Sequence, residues 1–255
     1  MVDYWLKNIL NACARQACLL CGGAADIEYN LALCKACRND LPVLGETCQQ
    51  CANPLENRLE RLEALSNSPG LLQTRLCGQC LQQRPYFDHS IAFFPYLAPF
   101  DHLVQAAKFR GKLATAHLCG QLLAEPVSLS LASLSDCPDA LLAVPLHRSR
   151  QHERGYNQAL EIARPVARQT GLPILRGVAS RVKAAPPQSS LSLKQRRKNV
   201  HNAFKIQGSV ANQHIAIIDD VMTSGATVNA LAKALKQAGA RRVSVWCFCR
   251  ADAPS

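Results

Sequence analysis

The sequence predicts an α/β protein, a parallel sheet with helices on both faces that follows a small cysteine-rich metal module. Short apolar runs at 140–145, 215–218 and 243–249 alternate with helix-like segments, which is typical of parallel strands covered on both sides. The N-terminal third is different, because eight cysteines form four CxxC pairs before residue 81. We therefore expect two domains, 1–84 with an N-terminal helix and the metal module, and 85–255 with the sheet.

The first half of the chain gives the following elements in order. Residues 1–12 have the pattern of a short amphipathic helix, and a helix-like insert near 54–65 interrupts the cysteine-rich module. Apolar residues predict a strand at 89–96 and a helix at 100–124 that is interrupted at 109–112, and serine, proline and aspartate indicate a loop at 126–139.

The second half continues the alternation. A short apolar strand is predicted at 140–145, and a helix at 157–170 is stopped by Gly171. The proline- and serine-rich segment 184–192 indicates a mobile loop. A strand at 215–218, a helix at 226–238 closed by Gly239 and a last strand at 243–249 complete the map.

The four CxxC pairs predict two structural zinc sites. Each pair places two thiolates within reach of one tetrahedral ion, and four thiolates leave no open position for a substrate. A thioredoxin-like redox motif is the competing interpretation, but it needs one CxxC rather than four. Sequential pairing is the simplest, although an interleaved arrangement also fits the spacing. The sequential sets are Cys18, Cys21, Cys34 and Cys37 for one ion, and Cys48, Cys51, Cys77 and Cys80 for the other.

The charge distribution favours a polyanionic ligand. The chain carries a formal net charge of +11, and between Ile162 and Ala251 its only carboxylates are Asp219 and Asp220, against fifteen lysines and arginines. Such a field attracts a phosphorylated ligand, a nucleic acid or both, and a basic surface kept for solubility is the alternative.

The sequence also predicts where the protein works. No apolar run approaches the roughly 20 residues that span a bilayer. The first residues lack the apolar stretch and cleavage site of a signal peptide. We expect a cytoplasmic protein without membrane insertion.

The acidic pair stands where a ligand site is expected. Asp219 and Asp220 follow an apolar strand, and a small-residue loop at 223–227 then leads into a helix. Ligands bind beyond the carboxyl ends of parallel strands, a helix N-terminus suits a phosphate, and ionised aspartates accept hydrogen bonds from sugar hydroxyls. A nucleotide hydrolase is a rival interpretation, but no GxxxxGK[ST] loop accompanies the pair. A receiver-type phospho-acceptor aspartate is another.

Longer motifs make a family resemblance specific. The segment IIDDVMTSGATV at 217–228 resembles the phosphoribosyl pyrophosphate (PRPP) fingerprint of type I phosphoribosyltransferases. Together with the CxxC set, AAKFRGK at 106–112 and AVPLHRSRQHERGYNQA at 143–159, it resembles the ComF family, which includes ComFC and GntX-type proteins. The resemblance covers nearly the whole chain.

The resemblance implies roles for named residues. Asp219 and Asp220 match the ribose-binding pair, and Thr223, Ser224, Gly225, Ala226 and Thr227 match the 5′-phosphate loop. Lys108, Arg148 and Arg154 are the implied charge partners of pyrophosphate, and Arg181, Lys183, Gln188 and Arg196 belong to a flexible loop over the site. Mg²⁺ would accompany PRPP.

The same resemblance implies a link to DNA uptake. It also implies PRPP-dependent transfer of phosphoribose to an acceptor, which no motif identifies. The alternative is a non-catalytic module that binds single-stranded DNA or docks to a helicase or translocase of the uptake machinery. The identity of such partners and the oligomeric state do not follow from the sequence.

Overall fold

A computed structural model describes residues 17–26, 31–55, 75–109, 112–132, 136–183 and 202–251. The predicted helix at 1–12, most of the insert near 54–65, the loop at 184–192, and Gln188 and Arg196 lie outside these residues. Contacts divide the chain into two compact units, Met1–Pro42 and Val43–Ser255. This division groups the second set of CxxC cysteines with the sheet, whereas the boundary after residue 84 stays a prediction from sequence.

The first unit is built around one set of cysteines. Its described helix, α1 (Lys35–Asn39), begins after Cys34, whose Sγ accepts a hydrogen bond from the amide of Cys37 at 3.4 Å. The turn before it closes through the amide of Cys18, which donates to the carbonyl of Gly23 at 2.7 Å. A backbone bond from the amide of Leu19 to the carbonyl of Ala32, at 2.9 Å, links the segments of the two CxxC pairs.

The second unit contains a four-stranded parallel sheet in the order β1-β6-β5-β2, and an antiparallel pair, β3 and β4. The strands are β1 (His89–Pro95), β2 (Ala140–Ala143), β3 (Ala179–Arg181), β4 (Phe204–Ile206), β5 (His214–Met222) and β6 (Arg242–Arg250). The helices are α2 (Gly78–Gln82), α3 (Phe100–Ala106), α4 (Leu113–Ala132), α5 (Arg148–Arg154), α6 (Gln158–Thr170) and α7 (Ala226–Gln237). The parallel sheet confirms the predicted fold class.

Both faces of the sheet are buried. Ile217 and Val245 share a hydrophobic cluster with Leu231 of α7. Residues an odd number apart point to opposite faces of a strand, so Phe248 faces away from that cluster. Its ring lies 5.4 Å from the ring of Phe100 in α3, centroid to centroid. Helical elements therefore cover the two faces, and none of the described helices is both long and apolar enough to cross a membrane.

The structure corrects two predicted boundaries. The segment 126–139 was predicted to be a loop, but α4 continues through Pro126 to Ala132. Val127 is completely buried, so burial of the helix face outweighs the hydrogen bond that the proline cannot make. Strand β5 also extends past Ile218 to Met222, so the acidic pair lies within a strand and not after it.

Helices α4 and α6 pack closely at Gly120. A Cβ atom there would lie 2.5 Å from the carbonyl oxygen of Ile162 and 2.9 Å from Cγ of Pro165. Helix α6 has the predicted ends, because the Asn157 side chain caps its first turn and Gly171 ends it with φ at 75°. Close packing of α4 against α6 fixes the position of the segment that precedes α6. That segment contributes to the site.

Candidate functional site

The acidic pair lies near the C-terminal end of β5. Asp219 and Asp220 are half-buried, and Asp219 Oδ1 accepts a hydrogen bond from the amide of Asp220 at 3.0 Å. Burial, reinforced by the neighbouring charge of Asp220, raises the pKa of Asp219 well above its usual value. Donors and cations are therefore favoured beside this carboxyl group.

Lys108 supplies one such cation. Its Nζ lies 3.8 Å from Oδ2 of Asp220. The turn that carries Lys108 is tied down by Tyr156, whose hydroxyl donates to the carbonyls of Ala107 at 2.6 Å and Phe109 at 3.0 Å. Sequence reasoning gave Tyr156 no positioning role, although it stands in the RGYNQ segment that carried the resemblance.

The loop at 223–227 joins β5 to α7. Gly225 has φ at 70°, a left-handed conformation that residues with a Cβ rarely adopt, and α7 begins at the next residue. Ser224 is exposed, and its Oγ accepts from the amide of Ala226 at 3.4 Å. Unpaired amides at the start of a helix, together with its dipole, suit an anion. The structure thus places a phosphate-compatible loop directly after the acidic pair.

The other predicted cations are spread over two elements. Arg148 is exposed at the start of α5, a helix that sequence patterns missed, and Arg154 is half-buried at its end. Arg181, predicted in the flexible loop, lies instead at the end of strand β3, with its guanidinium carbon 5.6 Å from the ring centroid of Phe204. Lys183 is exposed two residues further on. Burial lowers the pKa of Arg181, and the charge of Asp219 opposes that shift, so Arg181 belongs to the electrostatic surroundings of the pair.

Arg250 was not predicted as a site residue. It is buried at the end of β6, with 3% of its surface exposed. Its Nη1 donates to the carbonyls of Met222 at 2.7 Å and of Thr223, the first residue of the loop, and its Nε donates to the carbonyl of Cys51 at 3.0 Å. An arginine at a strand end in so basic a sequence offers no pattern that distinguishes it.

The eight CxxC cysteines form two clusters that could each hold a zinc ion. Within each cluster the sulfur atoms lie within 4.8 Å of one another, and the grouping is sequential. The first cluster is Cys18, Cys21, Cys34 and Cys37, and the second is Cys48, Cys51, Cys77 and Cys80. Such sets of thiolates suit tetrahedral Zn²⁺.

The thiols within each cluster are linked by hydrogen bonds. Side-chain hydrogen bonds from Cys51 and Cys80 hold the pKa of Cys48 well below its usual range. Burial opposes ionisation of Cys18, but hydrogen bonds from the amides of Cys21, Cys34 and Leu20 lower its pKa to about 6. Each cluster thus favours at least one thiolate, the form that binds metal.

The fold and the loop after the acidic pair define a protein with a phosphoribosyltransferase domain, and a family model described as the phosphoribosyl transferase domain matches residues 156–255. DNA utilization protein YhgH of Salmonella typhimurium is 33% identical over 220 residues, which cover 86% of this chain and 96% of that protein. Competence protein F of Haemophilus influenzae is 30% identical over 238 residues, 92% of this chain and 96% of that one. The chain belongs to the ComF family of these proteins.

Among solved structures, a hypoxanthine phosphoribosyltransferase from Staphylococcus aureus is similar with a TM-score of 0.35 and 11% identity. The match covers 51% of this chain and 62% of that one. So loose a similarity supports no conclusion about ligand or activity.

Proposed function

We propose that the chain binds PRPP with Mg²⁺ and acts as a phosphoribosyltransferase-like protein in DNA utilisation. One juxtaposition supports the proposal: the paired carboxylates of Asp219 and Asp220 precede by two residues a loop whose left-handed Gly225 opens a helix. Hydroxyl acceptors beside a phosphate-binding loop match a ribose 5-phosphate group. The role in DNA utilisation is carried over from the names of the relatives.

The residues would divide the ligand between them. Asp219 and Asp220 accept hydrogen bonds from the ribose hydroxyls, and the amides and hydroxyls at 223–227 hold the 5′-phosphate. Lys108, Arg148, Arg154 and Arg181 would provide positive charge for the pyrophosphate, and the family resemblance assigns Lys183, Gln188 and Arg196 to a loop over the site. In a transfer reaction the pyrophosphate leaves as positive charge grows on the ribose, and cations that neutralise the leaving group lower that barrier.

Two kinds of metal ion fit the proposal. Mg²⁺ prefers oxygen ligands and keeps much of its shell as water and phosphate oxygens, so PRPP itself would supply most of its ligands. Zn²⁺ at the two cysteine clusters would stabilise the fold, because four thiolates occupy all its positions. Since free thiolates of this density persist in reducing compartments, we also propose a cytoplasmic location.

Calorimetric titration with PRPP and Mg²⁺ tests the binding. We expect saturable binding by the wild type and at least a hundredfold weaker binding by the Asp219→Asn, Asp220→Asn double variant. Asp40→Asn, at an exposed aspartate of the first unit, is the matched control and should bind as the wild type does. Wild-type protein that does not bind PRPP would contradict the proposal.

Release of pyrophosphate separates an enzyme from a binding protein. PRPP, Mg²⁺ and a panel of nucleobases and amines are incubated with the protein, and pyrophosphate is followed over time. Release that depends on one acceptor supports transfer and identifies the acceptor class. Tight PRPP binding without release for any acceptor limits the protein to binding.

A second candidate function is binding of single-stranded DNA, or docking to a translocase, without catalysis. The carboxylate-poor half between Ile162 and Ala251 favours it, since nucleic acids are bound largely through phosphate charges. Its affinity should fall steeply with salt, and affinity that is flat with salt contradicts it. The Asp219→Asn, Asp220→Asn variant separates the two functions, because DNA binding should persist or strengthen while PRPP binding is lost.

A further inference from the structure

Arg250 holds an unusual position for a charged side chain. It is buried, and the hydrogen bonds described for its guanidinium go to main-chain carbonyls. Burying a cation is costly unless its donors are satisfied, so these carbonyls fix the orientation of the group. A buried guanidinium with directed donors is well suited to hold several backbone segments together.

The segments that Arg250 joins come from two sites. Nε reaches the carbonyl of Cys51, a member of the second cysteine cluster, at 3.0 Å. Nη1 reaches Met222 at 2.7 Å and Thr223, where the phosphate-compatible loop begins. A single side chain therefore lies between the candidate zinc site and the candidate phosphate loop.

The turn that presents the Cys51 carbonyl depends on the cluster. The amide of Ala52 donates to the carbonyl of Cys48 at 2.7 Å, and the amide of Cys77 donates to Sγ of Cys48 at 3.3 Å. Ala52 is completely buried in the hydrophobic core that also contains Met222. Metal binding by these sulfurs would hold the turn in the conformation that Arg250 requires.

The contacts to the loop have a direct consequence for anion binding. A loop that binds phosphate through its amides must direct its carbonyls elsewhere, because a carbonyl repels the anion. Arg250 meets this requirement at Thr223, because its guanidinium donates a hydrogen bond to the Thr223 carbonyl. The side chain of Met222 supports the same region, since its Sδ lies 3.7 Å from where a Cβ of Gly225 would be.

We propose that Arg250 is a positioning residue that couples the second cysteine cluster to the loop at 223–227. Metal occupancy at Cys48, Cys51, Cys77 and Cys80 then sets the affinity of the loop for a 5′-phosphate. The inference deepens the proposed function, on which its ligand-binding part rests.

Ribose 5-phosphate, which lacks the pyrophosphate, is the probe for the loop. Its dissociation constant is measured for full-length wild type, Arg250→Lys and Cys80→Ser, with zinc content determined on the same samples. Arg250→Lys should keep the zinc content of the wild type but bind about tenfold more weakly, because the single ammonium group of lysine cannot reach the carbonyls of Cys51, Met222 and Thr223 together. Cys80→Ser should lose one zinc and weaken binding similarly.

Matched controls separate this coupling from general damage. Arg164→Lys, at an exposed arginine of α6 paired with Glu161, and Cys137→Ser, at an exposed cysteine outside both clusters, should leave zinc content and affinity unchanged. The Arg250→Lys, Cys80→Ser double variant should bind no more weakly than the weaker single variant, because both changes break one connection. Effects that multiply would overturn the coupling.

Hydrogen exchange tests the coupling between the second cysteine cluster and the loop at 223–227 without a ligand. Chelation of zinc from the wild type should speed exchange of the amides at 223–227 about tenfold, and chelation should add little in Arg250→Lys. Equal exchange before and after chelation overturns the proposal. This measurement also replaces Cys80→Ser if that variant does not fold. Absence of ribose 5-phosphate and PRPP binding by the wild type counts against the proposed function, while the exchange result still decides the coupling.

Discussion

Lys108 Nζ lies 3.8 Å from Asp220 Oδ2, so a cation from the turn after α3 partly neutralises an acidic pair in β5. The turn is held by two hydrogen bonds from Tyr156, which precedes α6. Residues far apart in the sequence thus meet at the carboxyl edge of the sheet.

Removal of the Lys108 charge should weaken PRPP binding and leave the fold intact. In Lys108→Met we expect affinity to fall about tenfold, the lower end for a lost charged hydrogen bond. Ribose 5-phosphate, which lacks the pyrophosphate, should be affected less. Titration calorimetry measures both, and Lys112→Met, an exposed lysine four residues on, serves as the control. Equal losses for the two ligands would count against a pyrophosphate contact.

A side chain at Gly225 should disturb the phosphate loop. Its φ of 70° costs a residue with a Cβ about 1 kcal/mol or more, although no neighbouring atom blocks the added methyl group. We expect Gly225→Ala to lower the free energy of unfolding by about that amount and to weaken ribose 5-phosphate binding at least tenfold. Urea unfolding and calorimetry are the measurements. Gly45→Ala, at an open position with ordinary φ, should change neither.

The affinity for ribose 5-phosphate should depend on the ionisation of Asp219. Because burial and Asp220 raise the pKa of Asp219, its carboxyl takes up a proton at a higher pH than an ordinary aspartate does. Only the ionised form is a pure acceptor for hydroxyls, so binding should weaken as pH falls through that raised pKa.

The phosphate of the ligand also titrates, with a pKa of about 6. Titration of the phosphate affects binding to the wild type and to Asp219→Asn alike, but only the wild type has the carboxyl group. The difference between their two pH profiles therefore reports the ionisation of Asp219. We expect the wild type to lose affinity more steeply than the variant as pH is lowered from 8 to 5 in about half-unit steps. Parallel curves would show that Asp219 does not bind the sugar.

Asp136 should stabilise the fold in a pH-dependent way. Its carboxylate oxygens lie 3.0 Å from the guanidinium nitrogens of Arg241 and Arg242, and Oδ1 lies 3.5 Å from Nδ1 of the buried His214. The hydrogen bond from Arg241, opposed by burial and supported by Arg242, lowers the pKa of Asp136 to about 2. A depressed pKa means that this stabilisation is present above the unfolded pKa of about 3.9 and is lost as pH falls toward 2.

Urea unfolding of Asp136→Asn tests this. We expect a loss of about 1 to 2 kcal/mol at pH 6, modest for charged hydrogen bonds because the side chain is 26% exposed. The difference from the wild type should shrink as pH falls from about 4 toward 2, because the wild-type carboxylate takes up its proton over that range. Glu153→Gln, at a carboxylate that is 65% exposed and paired with Arg150, should change stability little. A constant difference down to low pH would contradict the assignment.

Local sequence patterns predicted much of the fold. The apolar runs of β2, β5 and β6 were predicted because strands buried on both faces need uninterrupted hydrophobic residues. Asn157 and Gly171 marked the ends of α6 because capping is decided by the residues beside the helix. By contrast, the extent of α4 past Pro126 depends on what Val127 packs against, and α5 has no apolar stripe to reveal it.

By itself the sequence determined the types of group available: thiolates in CxxC pairs, adjacent carboxylates, and a glycine where a loop enters a helix. These follow from spacing, since neighbours in sequence are neighbours in space. Only the tertiary structure decided that the cysteines group sequentially, that Lys108 approaches Asp220, and that Arg250 joins Cys51 to Thr223. Those relationships connect residues up to 199 positions apart, and packing of the whole sheet, not any local pattern, brings them together.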